Sequence, residues 1–270
     1  MKTAIVTLLL GRPYWLAWHE VCAPSWRAYA ERHGYDIIAI DRPLDVSPRA
    51  MARSPAWQKC LVLRPSIAGQ YDRIVWLDAD IVIHPKAPAV TTAVPIEKIG
   101  AVDEFVFPSV DAHQAFWRRM VEDTKGSNPA LARIWQSYLD PQDYHGFWGL
   151  PRRGNHIVQT GVLVLSPRHH RDILERVYYK YENKGGAEFN YEMRPLSFEI
   201  QEHKLQHWID QRFNATFNVI FWTANSERRI STRDELFDLI RRSFNSNYFL
   251  HFAAHQQMLT AAQMALAATA

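Results

Sequence analysis

Two carboxylates one residue apart, Asp78 and Asp80, leave the apolar run Ile74-Val75-Trp76-Leu77, and a second apolar run, Ile81-Val82-Ile83, follows them. Carboxylates set inside such a stretch are costly unless they find partners. At the end of a strand, where open α/β sheets bind ligands, this pair can approach one hard cation. Mg2+ and Mn2+ take oxygen ligands and bridge readily to phosphate. A divalent ion held there would stabilise the negative charge on a departing pyrophosphate, which suits a nucleotide-sugar donor. The local alternative stays open, because Asp-x-Asp is common in turns, where Asp bonds to nearby backbone. For the nucleotide itself the candidates are Thr7 and Leu8, at the end of the first apolar run, and Lys59. Lys59 could face base, ribose or phosphate, or stand solvated on a helix.

These residues can meet only if a sheet brings them to one edge. Residues 3–10 read as a buried strand, residues 14–33 as a helix broken near Pro24 and closed by Gly34, and residues 37–41 as a second strand. Strand, helix, strand implies a parallel sheet with a crossover helix. Residues 42–55 read as a loop, 56–68 as a helix stopped or kinked near Pro65, 73–77 as the strand that delivers Asp78, and 100–102 as a short strand. Helix is expected over 112–138, interrupted around Gly126-Ser127-Asn128-Pro129. Residues 140–156, rich in Pro, Gly and aromatics, read as a mobile loop over a site. Then come a strand at 158–165 and helices at 168–183, 196–208 and 232–243, the last capped by Ser231 or Thr232. A short strand at 248–250 ends at His251, and an Ala-rich tail from 257 reads as helix. The expected fold class is therefore α/β, with a mostly parallel central sheet flanked by helices. No linker or repeat marks a boundary, so one domain spans 1–270, with a nucleotide-binding half at 1–110, an acceptor half at 111–256 and a tail at 257–270.

Bulk composition narrows the partners. With 47% hydrophobic and 22% charged residues, the 270-residue chain reads as globular rather than disordered. A net charge of +3, with Lys and Arg scattered in short pairs, gives a nucleic-acid partner little electrostatic support. It leaves room for peripheral contact with an anionic membrane. Two cysteines, Cys22 and Cys60, cannot build a disulfide framework or a Cys-rich zinc site. The first apolar run is short for a membrane span or a signal peptide, so the expected setting is cytoplasmic.

The stretch Tyr71-Asp72-Arg73-Ile74-Val75-Trp76-Leu77-Asp78-Ala79-Asp80-Ile81-Val82-Ile83 resembles the metal-binding segment of GT-A glycosyltransferases. It is most similar to the galactosyl- and mannosyltransferase family that includes fungal Golgi mannosyltransferases and plant xyloglucan xylosyltransferases. Tyr35-Asp36 and Trp57-Gln58-Lys59 fit the same pattern. The resemblance implies a GT-A (Rossmann-like) domain, Asp78 at the donor ribose or the metal, Asp80 as a metal ligand, and Mn2+ or Mg2+ as cofactor. Tyr248-Phe249-Leu250-His251-Phe252-Ala253-Ala254-His255 is similar to the family's His-Phe-x-Gly-like segment, which implies His251 as a third ligand, with His255 the weaker candidate. Ala254 stands where Gly is usual. Val158-Gln159-Thr160-Gly161 is similar to an Asn-x-Gly strand beside the donor sugar, with Gln159 where Asn is common; a core strand with a bulge glycine is the equal alternative. Tyr191-Glu192-Met193 is similar to an acidic residue, often followed by Gln, that opens a helix. Glu192 could orient the acceptor or stabilise positive charge on an oxocarbenium-like centre, or be a plain helix-start carboxylate. Asp210, Arg212 and Asn214, in a Leu-Asp-x-Arg-Phe-Asn-like turn, read as holding that turn together.

The implied activity is transfer of a hexose or pentose from a nucleotide-diphosphate sugar, with a UDP-sugar favoured, to a glycan, lipid-linked or small-molecule acceptor. The resemblance implies retention, with the acceptor hydroxyl attacking on the face from which the diphosphate leaves. Inversion would instead require a carboxylate base near the acceptor. Two rival classes remain: a nucleotidyltransferase acting on a sugar phosphate, and a non-catalytic sugar-binding protein. Gly11-Arg12-Pro13 is not the Gly-rich phosphate loop a phosphotransferase would favour.

Overall fold

The computed structural model describes residues 1–182, 192–227, 230–253 and 256–267. A six-stranded sheet runs through the centre in the order β2-β1-β3-β6-β5-β7. Its strands are β1 (Thr3–Leu8), β2 (Asp36–Ile40), β3 (Arg73–Leu77), β5 (Ile99–Asp103), β6 (Val158–Leu165) and β7 (Gln206–Trp208). β1 is parallel to β2 and β3, and β5 is parallel to β7. Only β6 runs against its neighbours β3 and β5. A three-stranded sheet, β4 (Ile81–Ile83), β9 (Phe249–His251) and β8 (Ala215–Thr216), lies at the end of β3 in the order β4-β9-β8.

The central strands are buried on both faces, as parallel sheets demand. β3 and β6 are buried throughout, and β1 in all but its last residue. Side chains alternate between two cores with period two. Ile5, Val75, Leu77, Val162 and Val164 join one core, with Trp18, Trp26 and the small sheet. Ala4, Val6, Ile74, Trp76, Leu163 and Leu165 join the other, against Trp57, Leu61, Leu174 and Leu196. Among the described residues no helix is long and apolar enough to cross a membrane.

Several boundaries differ from the sequence reading. Pro24 does not break the first helical stretch. A π turn, Trp18–Cys22, absorbs its missing N–H, with Ala23 N–H reaching back to Trp18 O, and helix Ala23–His33 continues to a left-handed Gly34 (φ 66°). The predicted helix over 56–68 is a 3-10 segment, Pro55–Leu61, and a separate turn, Pro65–Ala68. Residues 140–156 are not all loop: Asp140 caps a helix, Pro141–Phe147, in which Tyr144 and His145 are fully buried. The predicted helix 196–208 is instead Met193–Glu202 followed by β7. Lys204 at φ 53° turns the chain back, and Gln206–Trp208 pairs with β5. The helix Phe217–Glu227 was not foreseen. Its neighbour Arg233–Ser246 is closed by a capping box between Thr232 and Glu235. The described part of the tail is helix Gln256–Ala267.

Candidate active site

β3 ends at Leu77 and β4 begins at Ile81, so Asp78-Ala79-Asp80 is the joint at which the chain leaves the large sheet for the small one. The first half of the site follows from the β3–β6 ladder. Leu77 pairs with Val162, and Asp78 N–H then donates to Gly161 O at 2.8 Å, which sets the Gln159-Thr160-Gly161 stretch beside Asp78. Trp76 and Asp78 share a face of the strand, and the indole Nε1–H donates to Asp78 Oδ1 at 2.9 Å. The second half follows from the small sheet. Ile81 pairs with His251, so the imidazole arrives next to Asp80, with Nε2 3.1 Å from Asp80 Oδ1 and 3.9 Å from Asp78 Oδ2.

Lys59, from the 3-10 segment, is not a solvated lysine. It is 5% exposed, and Nζ lies 3.1 Å from both Asp78 Oδ1 and Glu192 Oε1. It also donates to Thr160 O at 3.2 Å and Thr160 Oγ1 at 3.3 Å. Burial alone would lower its pKa, but Asp78 and Glu192 outweigh that and hold the ammonium above the ordinary lysine range. Glu192 is fully buried at the N-terminus of helix Met193–Glu202, where the helix dipole favours negative charge. Burial pushes its pKa up while Lys59 pulls it down, and it stays above the usual carboxylate value.

These groups surround a cavity of about 320 Å³, within the range of small-molecule sites. Leu8, Lys59, Asp78, Asp80, Gln159, Glu192 and His251, all candidates from the sequence, line it together. Thr7 does not line it; the side chain is buried within the fold. His255, Ala254 and Tyr191 lie outside the described residues. Tyr14, Leu10, Pro55 and Ala56 add an aromatic and apolar wall that sequence reasoning missed. Ser54, which starts the 3-10 segment, lines it as well.

Asn214 also went unrecognised as part of the site. Its Oδ1 lies 2.8 Å from His251 Nδ1, and its Nδ2 donates to Gln159 Oε1 at 2.8 Å. Only the tertiary pairing of β8 with β9 reveals this.

Asp78, Asp80 and His251 make a mixed carboxylate and imidazole donor set suited to a divalent cation. Among the described residues no three or more His, Cys, Asp or Glu side chains are grouped closely enough to hold a metal ion as they stand. His251 and Asp80 form a close pair, with Asp78 slightly farther off. At 3.1 Å, His251 Nε2 and Asp80 Oδ1 are within direct hydrogen-bonding distance of each other. Burial alone would lower the His251 pKa, but Asp80 and Asp78 outweigh it and hold the ring above the ordinary histidine value. The two carboxylates thus attract positive charge at this spot, whether it comes from a proton or a metal.

No protein-family model matches the sequence, and no curated protein matches it significantly. Solved structures match in fold. A glycosyltransferase involved in glycosylation of the major capsid of PBCV-1 aligns over 98% of this chain and 100% of its own, with TM-score 0.56 and 12% identity. The galactosyltransferase LgtC, in complex with donor and acceptor sugar analogues, aligns over 97% of this chain and 95% of its own, with TM-score 0.50 and 13% identity. The glycosyltransferase GlyE of Streptococcus pneumoniae aligns over 98% of this chain and 61% of its own, with TM-score 0.51 and 10% identity. At such identities the likeness speaks for architecture: the chain has the GT-A-type fold of these glycosyltransferases.

Proposed function

We propose that this protein is a metal-dependent glycosyltransferase that moves a hexose or pentose from a UDP-sugar to an acceptor hydroxyl with retention. The observation that carries the reading is the convergence of Asp78, Asp80 and His251 on one cavity, from the joint between two sheets and the end of a third segment. Asp78, Asp80 and His251 are the residues that would hold Mn2+ or Mg2+. A divalent cation bound there supplies positive charge to the departing diphosphate. Leu8, Leu10, Tyr14, Pro55 and Ala56 offer the base and ribose an apolar, partly aromatic wall.

Lys59 fixes Asp78 and Glu192 in place and keeps one positive charge beneath two carboxylates. Glu192 faces the cavity and is suited to stabilising positive charge that develops at the anomeric carbon. Among the described lining residues it is the one carboxylate outside the Asp78–Asp80 pair, and Lys59 already engages it. With Glu192 already engaged by Lys59, the reading takes retention, with the proton passing from the acceptor hydroxyl to the leaving phosphate. The acceptor, whether glycan, lipid-linked or small molecule, approaches from the open side of the same cavity.

The test is a thermal-shift titration with UDP, GDP and a panel of nucleotide sugars, each with and without Mn2+. UDP and one UDP-sugar should raise Tm only when Mn2+ is present. A protein that no nucleotide diphosphate stabilises with Mn2+ would reject the reading.

A further inference from the structure

The two carboxylate oxygens of Asp78 have different surroundings. Oδ1 accepts from the Trp76 indole Nε1–H at 2.9 Å, and Lys59 Nζ lies 3.1 Å from the same atom. The direction of both contacts is fixed by chemistry: an indole nitrogen and an ammonium only donate, and a carboxylate oxygen only accepts. Two donors engage both lone pairs of Oδ1. Oδ2 is the oxygen on the His251 side, 3.9 Å from Nε2.

The two donors are held by separate elements. Trp76 is 3% exposed and sits within the central sheet, paired with Val6 on β1 and Leu163 on β6. Its ring packs in the core that contains Trp57 and Leu174. Lys59 comes from the 3-10 segment, with Nζ 5.3 Å from the centre of the Trp76 ring, and it is shared with Glu192. One donor alone would leave the Asp78 carboxylate free to turn about χ2. Two donors from different elements fix its plane, so that Oδ1 faces the indole and the ammonium and Oδ2 is left for a cation.

We infer that Trp76 is a positioning residue that, together with Lys59, restricts Asp78 to binding a cation through one oxygen and so selects an octahedral ion such as Mn2+ or Mg2+ over Ca2+. The inference rests on the reading of Asp78, Asp80 and His251 as cation ligands. Ca2+ takes roughly 6–8 oxygen ligands and often uses both oxygens of one carboxylate, whereas Mg2+ demands a near-octahedral set. A carboxylate with one oxygen already engaged suits the octahedral ion and deprives Ca2+ of a ligand. Removing a group that orients a metal ligand characteristically costs about 10- to 100-fold in metal affinity.

The experiment is a titration of the protein with Mn2+, the free ion read by EPR, with Ca2+ added as competitor. Wild type should prefer Mn2+. Trp76→Phe keeps an aromatic ring and removes the N–H; it should weaken Mn2+ binding about 10- to 100-fold and Ca2+ binding less, so that the preference narrows. An indole that only packs would lower Tm and leave the preference as it was, and that result in folded Trp76→Phe overturns the inference. If Trp76→Phe fails to fold, NMR of wild type decides. The Trp76 indole N–H signal, assigned through the backbone, should keep its downfield, hydrogen-bonded shift when Mg2+ saturates the protein. A move upfield toward the free indole value shows that Asp78 has released the indole and overturns the inference. Wild type that binds Mn2+ and Ca2+ equally also overturns it and leaves the metal-dependent function standing, whereas wild type that binds neither ion rejects both.

Discussion

Gly161→Ala puts one methyl group into the contact between β6 and His251. The new Cβ would lie 2.5 Å from His251 Cε1, 2.8 Å from His251 Nδ1 and 3.0 Å from Gln159 Oε1. Ordinary carbon contacts begin near 3.5 Å, so ring and strand must part by about 1 Å. The ring has little room to yield, because β9 is paired with both β4 and β8 and Nδ1 is held by Asn214. Metal sites tolerate ligand displacements of about 0.2 Å, so such a shift should remove His251 as a ligand. The expected losses are about 1–3 kcal/mol of stability from overpacking, read as a Tm lower by about 2–10 °C, and a 10- to 100-fold loss of Mn2+ affinity. Gly100→Ala is the control. Its Cβ would crowd Val94 Cγ2 at 2.8 Å and Val164 Cβ at 3.0 Å, away from the cavity. It should lower Tm to a similar degree and leave Mn2+ affinity as it is. A folded Gly161→Ala protein that binds Mn2+ within twofold of wild type would refute this packing argument.

Lys59→Met leaves Asp78 and Glu192 without their shared cation and should cost about 3–5 kcal/mol in denaturant unfolding, with Glu192→Gln on top restoring part of it. A loss below about 1 kcal/mol would show that the ion pairs carry little weight. His170 accepts Ser166 N–H through Nδ1 at 2.8 Å, and burial lowers its pKa from 6.5 to about 4. As pH falls from 6.5 to about 4 the unfolded ring takes up a proton and the folded one does not, so the stability it contributes is present above that window and lost through it. The stability advantage of wild type over His170→Asn should therefore shrink by about 3 kcal/mol across that window, and a pH-independent difference would contradict it. Thr232→Ala removes the side-chain half of the capping box and should cost about 1 kcal/mol by chemical denaturation, with no effect on ligand binding.

The Asp78–Asp80 joint was legible because its apolar flanks, Ile74-Val75-Trp76-Leu77 and Ile81-Val82-Ile83, become strands whose burial is local in origin. His251 was reached through resemblance. What places it physically is the register of Ile81 against His251, a pairing between distant parts of the chain that no local pattern encodes. Lys59 illustrates the opposite limit. A lysine on a short helical segment could equally be read as facing the nucleotide or as solvated, and only the arrival of Asp78 and Glu192 from two other elements explains its burial. Asn214 was read as a turn residue because its partners, Gln159 and His251, come from two different sheets. The overlong helix at 196–208 had the same kind of cause. Lys204 takes a left-handed conformation without the glycine that usually announces one, and β5 recruits Gln206–Trp208 as an edge strand. Helix Phe217–Glu227 escaped notice because its apolar residues follow one another without a clear helical period.

The most direct test of the metal-dependent donor site is release or transfer of sugar from the UDP-sugar that binds, measured with Mn2+ and with chelator, for wild type and for folded Asp80→Ala. Wild type should turn over with Mn2+ and stop with chelator, and Asp80→Ala should be inactive in both. Turnover that persists in chelator, or a fully active Asp80→Ala protein, would contradict the assignment of Asp78, Asp80 and His251 as the cation-binding centre.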